Sequence, residues 1–154
     1  MALTIRSPAF AHEAAIPARH TCQGDDVAPA LEWSGAPEGT KSLVLIVDDP
    51  DAPDPKAPKM TWVHWVVYNL PAASTGLAEG AAMPEGAGEG LNDWKRAAWG
   101  GPCPPIGRHR YFFKLYAVDV ALDLPRGPTK PEVEAAMDGH VLERAELMGT
   151  YQKT

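Results

Sequence analysis

The sequence predicts a mainly β fold with a C-terminal α-helical segment, and three observations carry that prediction. Residues 42–47, 62–68 and 110–120 are strand-length runs dominated by apolar, β-branched and aromatic side chains. The 16 prolines and 14 glycines of the 154-residue chain fall between such runs instead of forming one tract. A helix-opening signal, Thr129-Lys130-Pro131-Glu132, reads as a capping box with proline in the first turn.

Taken in order, residues 2–6 alternate as a short strand, and residues 17–29 read as turns. Residues 30–33 (Ala-Leu-Glu-Trp) form a brief strand, followed by turn chemistry at Gly35, Pro37 and Gly39. The run Ser42-Leu43-Val44-Leu45-Ile46-Val47 is apolar without alternation, the mark of a strand covered on both faces. It is expected to stop at an acidic turn, Asp48-Asp49-Pro50-Asp51-Ala52-Pro53, with a proline-rich loop to Lys59.

In residues 62–68, period two assigns Trp62, His64, Val66 and Tyr68 to one face and Val63, Trp65 and Val67 to the other. Residues 71–90 read as a surface excursion. In the third run, His109 and Tyr111 share a side if the extended geometry begins at His109. The helix is expected to continue through Val133, Ala136, Met137, Val141 and Leu142, bent or split at Gly139 and stopped at Gly149.

The length suits one domain, 1–154. A formal charge of −6 gives no basis for nucleic-acid binding, and no apolar run has the roughly 18 residues of a membrane span. Cys22 and Cys103 lack CxxC partners and are expected as free thiols. With no basic, apolar leader at the N-terminus, a reducing cytoplasm is the expected setting.

Chemistry-bearing residues gather at the ends of the apolar runs. Asp49 and Asp51 serve as turn-makers, as an acid–base or metal pair, or as carboxylates tuning a histidine. His64, between two tryptophans, is a satisfied core group or a ligand group, and its burial calls for a partner such as the acidic turn. No HxH or HExxH spacing supports a metal, and Cys103 with His109 as nucleophile and base lacks a helix N-terminus to activate the thiol. No cofactor motif occurs.

The ordered text Pro29-Ala30-Leu31-Glu32-Trp33, Asp49-Pro50-Asp51-Ala52-Pro53, Trp62-Val63-His64-Trp65, Gly101-Pro102-Cys103-Pro104-Pro105, His109-Arg110-Tyr111 and Gly139-His140-Val141-Leu142 resembles the phosphatidylethanolamine-binding protein family, in its short bacterial Raf kinase inhibitor-like branch. The resemblance implies an antiparallel Greek-key β fold, a cis peptide in the pocket loops and a pocket for phosphate-type anions or phosphoethanolamine head groups. It assigns that pocket Asp49, His64, Gly101, Pro102, His109 and Tyr111, with Trp62 beside them and Asp51 organising the loop and a histidine. Val63 stands where many animal members carry a further histidine, and the longer C-terminal extension of those proteins is missing.

The resulting expectation is a non-catalytic anion-binding module in which partly protonated His64 and His109 hold the ligand. The alternative is a regulatory inhibitor of a kinase or protease acting through the pocket rim; a hydrolase or phosphotransferase is the weakest reading, for want of a nucleophile. A homodimer is expected from the bacterial relatives, with no nucleic-acid partner.

Overall fold

The computed structural model describes residues 2–154. Strands β1 (Thr4–Arg6), β2 (Leu31–Ser34) and β5 (Gly76–Leu77) form a three-stranded antiparallel sheet in the order β1-β2-β5. Strands β3 (Ser42–Ala52), β4 (Met60–Pro71), β6 (Gly88–Gly90), β7 (Arg108–Val118) and β8 (Val141–Gln152) form a five-stranded antiparallel sheet in the order β6-β4-β3-β7-β8. Within it β3, β4 and β6 lie side by side and β7 returns along the free edge of β3, which is a Greek key.

The unalternating run in β3 has the meaning expected of it. Leu43, Leu45 and Val47 enter a core cluster shared with the small sheet, while Val44 and Ile46 enter a second cluster beneath the helix α1 (Lys130–Met137). Burial on both faces leaves no position for a polar residue. The capping box at Thr129 is formed in both directions, and Val133 and Met137 are the buried face of α1.

Four expectations are corrected. The helix stops at Met137, where Gly139 adopts φ +81°, and residues 141–152 form strand β8 paired along the whole of β7. The helical spacing of Val141 and Leu142 was misleading, since both are exposed at the start of a sheet edge. Gly149 is no stop: an added Cβ there would lie 2.6 Å from Ile16 and 2.7 Å from Phe10, so glycine lets the N-terminal segment pack across β8.

The acidic turn is the end of β3, which runs on to Ala52 because Asp48 pairs with Phe112 and Asp49 with Trp62. Asp48 is buried under the sheet between Lys130 Nζ (2.8 Å) and Lys114 Nζ (3.1 Å), an ion cluster that ties α1 to the central strand.

Finally, the cysteines are not free thiols: Cys22 and Cys103 form a disulfide with Cα atoms 5.4 Å apart. Residues 81 apart in sequence meet because the loop after the 3-10 turn Ala18–His20 lies along residues 100–103, joined by Cys22 N to Pro102 O (3.1 Å), Trp99 Nε1 to His20 O (3.2 Å) and Gly101 N to Asp26 Oδ1 (2.8 Å). The cytoplasmic expectation rested partly on free thiols and loses that support, because disulfides persist mainly in oxidising compartments. No described helix is long and apolar enough to cross a membrane.

Gly149→Val should lower thermal stability by about 1–3 kcal/mol through overpacking against Phe10 and Ile16, read as a fall in denaturation midpoint. A midpoint equal to that of the wild type would show that the N-terminal segment does not pack on β8 as described.

Candidate functional site

Because β3, β4 and β7 run antiparallel, the C-terminal end of β3 and the N-terminal ends of β4 and β7 meet at one end of the sheet. A cavity of about 330 Å³ opens there, lined by Asp49, Ala52 and Pro53 from β3 and its loop, Met60, Trp62 and His64 from β4, Trp94, residues 103–105, and His109 and Tyr111 from β7. Of the residues expected in a pocket, Asp49, Trp62, His64, His109 and Tyr111 line it. Gly101 and Pro102 are buried behind Cys103 and shape the wall without lining it. The peptide bond between Ala52 and Pro53 is cis, as the resemblance implied.

Period two does not describe β4. Val47 pairs with Trp65 and Asp48 with Val63, so His64 is the extra residue of a β-bulge. The bulge turns Val63 toward the helix-side core with Val66 and Tyr68, sends Trp65 and Val67 to the other core, and leaves Trp62 and His64 facing the cavity. The sequence carries no glycine or proline at that point to announce it.

The charged groups of the wall are tied to one another. His109 Nδ1 stands 2.6 Å from Asp49 Oδ2, both side chains being almost wholly buried. The Nε2–H of His109 donates to the carbonyls of Ile106 (2.8 Å) and Pro53 (3.1 Å), so neither nitrogen is open to the cavity. Asp49 Oδ1 accepts from Asp51 N (2.7 Å), and burial raises the Asp49 carboxyl above its ordinary pKa against the opposing bonds from His109 and Asp51.

Asp51 does not organise a histidine. It takes Arg110 through Nε (2.9 Å), Nη2 (2.8 Å) and the backbone N (2.9 Å), which holds its carboxyl below the usual carboxylate range, and it points away from the cavity lining. Successive aspartates at alternating strand positions thus have separate partners.

His64 finds a carbonyl instead of the acidic partner expected for it. Its Nδ1–H donates to Gly100 O (2.6 Å) while Gly100 N donates back to His64 O (3.0 Å), and the ring is held edge-on between Trp94 and Tyr111 with centroids 5.1 Å from each. Burial is the main cause that draws its pKa down to about 4, against smaller upward pulls from Gly100 O, Asp48 and Asp93. The ring is neutral at pH 7. Protonated histidines are therefore not what the cavity offers a ligand: His64 is uncharged, and His109 has no N–H to spare.

What the wall leaves unpartnered is uncharged. Trp62 Nε1 and Tyr111 Oη are buried and lack any partner among the described residues. Burial, with Asp49 and Asp51 nearby, raises the Tyr111 phenol, which stays protonated and able to donate. Met60, Trp94, Cys103, Pro104 and Pro105 supply the apolar lining. Among these Met60 went unnoticed in the sequence, where a methionine in a proline-rich loop has no distinguishing signal. A wider depression of about 470 Å³ along β2 and β5 holds one ion pair, Arg6 with Glu32 at 2.9 Å, and no convergent polar set.

A mainly β protein of two sheets, with one small, tryptophan- and proline-walled cavity at the end of the larger sheet, is the class that fold and site define. The phosphatidylethanolamine-binding protein family pattern matches residues 6–152, and the chain belongs to that family. It is 46% identical to a UPF0098 protein of Methanothermobacter thermautotrophicus over 98% of this chain and 99% of that one. A phosphatidylethanolamine-binding protein homologue of Chlamydia trachomatis superposes with a TM-score of 0.93 at 45% identity, covering 99% of each chain. YbcL of Escherichia coli, described as a member of the mammalian family, superposes with a TM-score of 0.89 at 32% identity over all of both chains.

Two outcomes test this geometry. His109→Ala strands Asp49 in the wall and should cost about 3–5 kcal/mol, measured by chemical denaturation. For His64 the folded pKa lies below the unfolded one, so the unfolded chain binds the extra proton; its contribution is full above about pH 6.5 and is lost as pH falls toward 4. The denaturation midpoint of the wild type should drop through that window by more than that of His64→Gln, and equal drops would refute the neutral, buried ring.

Proposed function

We propose that the cavity binds a small oxyanion, inorganic phosphate or the phosphoryl part of a head group such as phosphoethanolamine, without transforming it. The observation that supports this most is the pair of unpartnered buried donors, Trp62 N–H and Tyr111 O–H, on residues that line the cavity beside Asp49, His64 and His109; both atoms are closed to solvent, so a ligand reaches them through a shift of the lining side chains. An unsatisfied buried donor costs about 1–3 kcal/mol, and an acceptor-rich ligand removes that cost at both positions. Two or three charge-assisted hydrogen bonds are enough for binding in the micromolar to millimolar range. The volume suits a tetrahedral oxyanion with a short substituent lying against Trp94, Met60 and Pro104.

A binding role is favoured over catalysis by the commitments of the ionisable groups. The nitrogens of His109 and both oxygens of Asp49 are bonded, Cys103 is in the disulfide, and burial leaves the remaining imidazole, His64, a weak base, so no activated nucleophile stands in the wall. A second reading rests on the rim: the exposed Met60 (48%) and Trp94 (39%) line the cavity, and the exposed Ile106 (55%) follows directly on the lining residues 103–105, the sort of apolar surface an inhibitor presents to a kinase or protease. Ile106→Asp would abolish inhibition on that reading while leaving phosphate affinity unchanged. The homodimer is likewise a proposal, readable by sedimentation.

Titration calorimetry with inorganic phosphate tests the primary reading. Tyr111→Phe and Trp62→Phe should each weaken binding about tenfold, the loss of one hydrogen bond to an anion. Free of ligand, Tyr111→Phe should melt no lower than the wild type, because it removes an unsatisfied hydroxyl. Phosphate affinity indifferent to both substitutions rules the assignment out.

A further inference from the structure

We propose that the Cys22–Cys103 disulfide is a thiol-exchange site for a dithiol, and that its reduction releases the wall segment 103–105 while the rest of the fold stays in place. Nothing in this depends on what the cavity binds.

Access comes first. Cys22 lies on the surface, in the exposed stretch 22–25, and Cys103 is half-buried in the cavity wall, so the bond runs from the outer surface to the cavity. Exposed disulfides are the ones open to exchange and to regulatory use.

What hangs on the bond is the second observation. On one side of it hydrogen bonds clasp the two loops, Cys22 N with Pro102 O, Gly101 N with Asp26 Oδ1 and Trp99 Nε1 with His20 O. On the other side the next anchor is Ile106 O, held by His109. Between these anchors residues 103–105 make no hydrogen bond among the described residues, and Pro104 and Pro105 have no N–H with which to make one. The disulfide is therefore the cross-link of a segment that has no polar tether of its own. Two successive prolines stiffen that segment, and Gly107, at φ +74°, is a joint at its far end. Breaking the bond frees the wall, whereas the clasp at Pro102 keeps the loops together and Cys103 within reach of Cys22.

The exchange runs in two displacements. A thiolate of the reductant attacks the exposed Cys22 Sγ, a mixed disulfide forms as the Cys22–Cys103 bond breaks, and the electron pair leaves on Cys103 Sγ, which takes a proton. With a monothiol, Cys103 would attack back. A dithiol instead uses its second thiolate on its own sulfur in the mixed disulfide, which closes the reductant's disulfide and releases Cys22 to be protonated in turn. Two electrons and two protons pass from dithiol to protein.

The experiment treats the folded wild-type chain with dithiothreitol in the absence of denaturant and counts thiols by alkylation and mass. Both cysteines should become alkylated with the far-UV circular dichroism unchanged. Trypsin should then cleave after Arg108 at least about tenfold faster than in the oxidised chain, while cleavage after Arg126, in the exposed loop ahead of α1, stays within about twofold. Reoxidation by diamide should restore the starting rate. Cys22→Ser should show the fast Arg108 cleavage with no reductant present, which separates loss of the bond from any effect of the reagent. A disulfide that reacts only after denaturation overturns the exchange site. Reduction that leaves the Arg108 rate unchanged, or that accelerates Arg126 equally, overturns a release confined to the wall.

Discussion

The buried bond between His109 and Asp49 is the constraint on which the site depends. It joins the end of β3 to the beginning of β7, and through Nε2 it fastens the carbonyls of Pro53 and Ile106, one from each loop that borders the cavity. A carboxylate taken out of water needs a close partner, and a histidine filling both its ring positions is such a partner. The loops are proline-rich and short of ladder hydrogen bonds. The bond acts there with the three bonds from Arg110 to Asp51 and the disulfide at Cys103, and it alone of these lies against the inner faces of both loops.

A division of labour follows. Ionisable groups that meet each other, Asp49 with His109, Asp51 with Arg110 and Asp48 with two lysines, build the sheet end and anchor α1. Neutral groups with one unused hydrogen-bonding position, Trp62, His64 and Tyr111, stand among them in the cavity wall. The cavity wall built in this way offers apolar surface and hydrogen-bonding groups, with no lysine or arginine among its lining residues. The disulfide backs the wall from behind, where Cys103 is itself a lining residue.

Much of the architecture was legible from local chemistry. The apolar run in β3 meant burial on two faces, the capping box at Thr129 opened a helix, and the alternation in β7 put His109 and Tyr111 on one side. Misreadings arose where one local pattern fits two structures. Val141 and Leu142 lie at helical spacing after Met137 but belong to a strand, because Gly139 takes a left-handed conformation and β7 offers an unpaired edge. Prolines at positions 50 and 53 suggested a turn, yet pairing with β4 and β7 carried the strand to Ala52.

The sequence by itself determined the fold class and the residues that meet at the sheet end, since burial periodicity and the order of motifs are properties of neighbouring letters. Tertiary structure alone decided what each of those residues does. The bulge at His64 depends on a register between two strands, and the pairing of Cys22 with Cys103 on two loops crossing. Whether a histidine is a cation, a clasp or a neutral acceptor depends on which atom stands opposite each nitrogen. Three of those four atoms, Gly100 O for His64 and Asp49 and Pro53 for His109, come from 36 to 60 residues away, where no periodicity reaches; Ile106 O is three residues from His109.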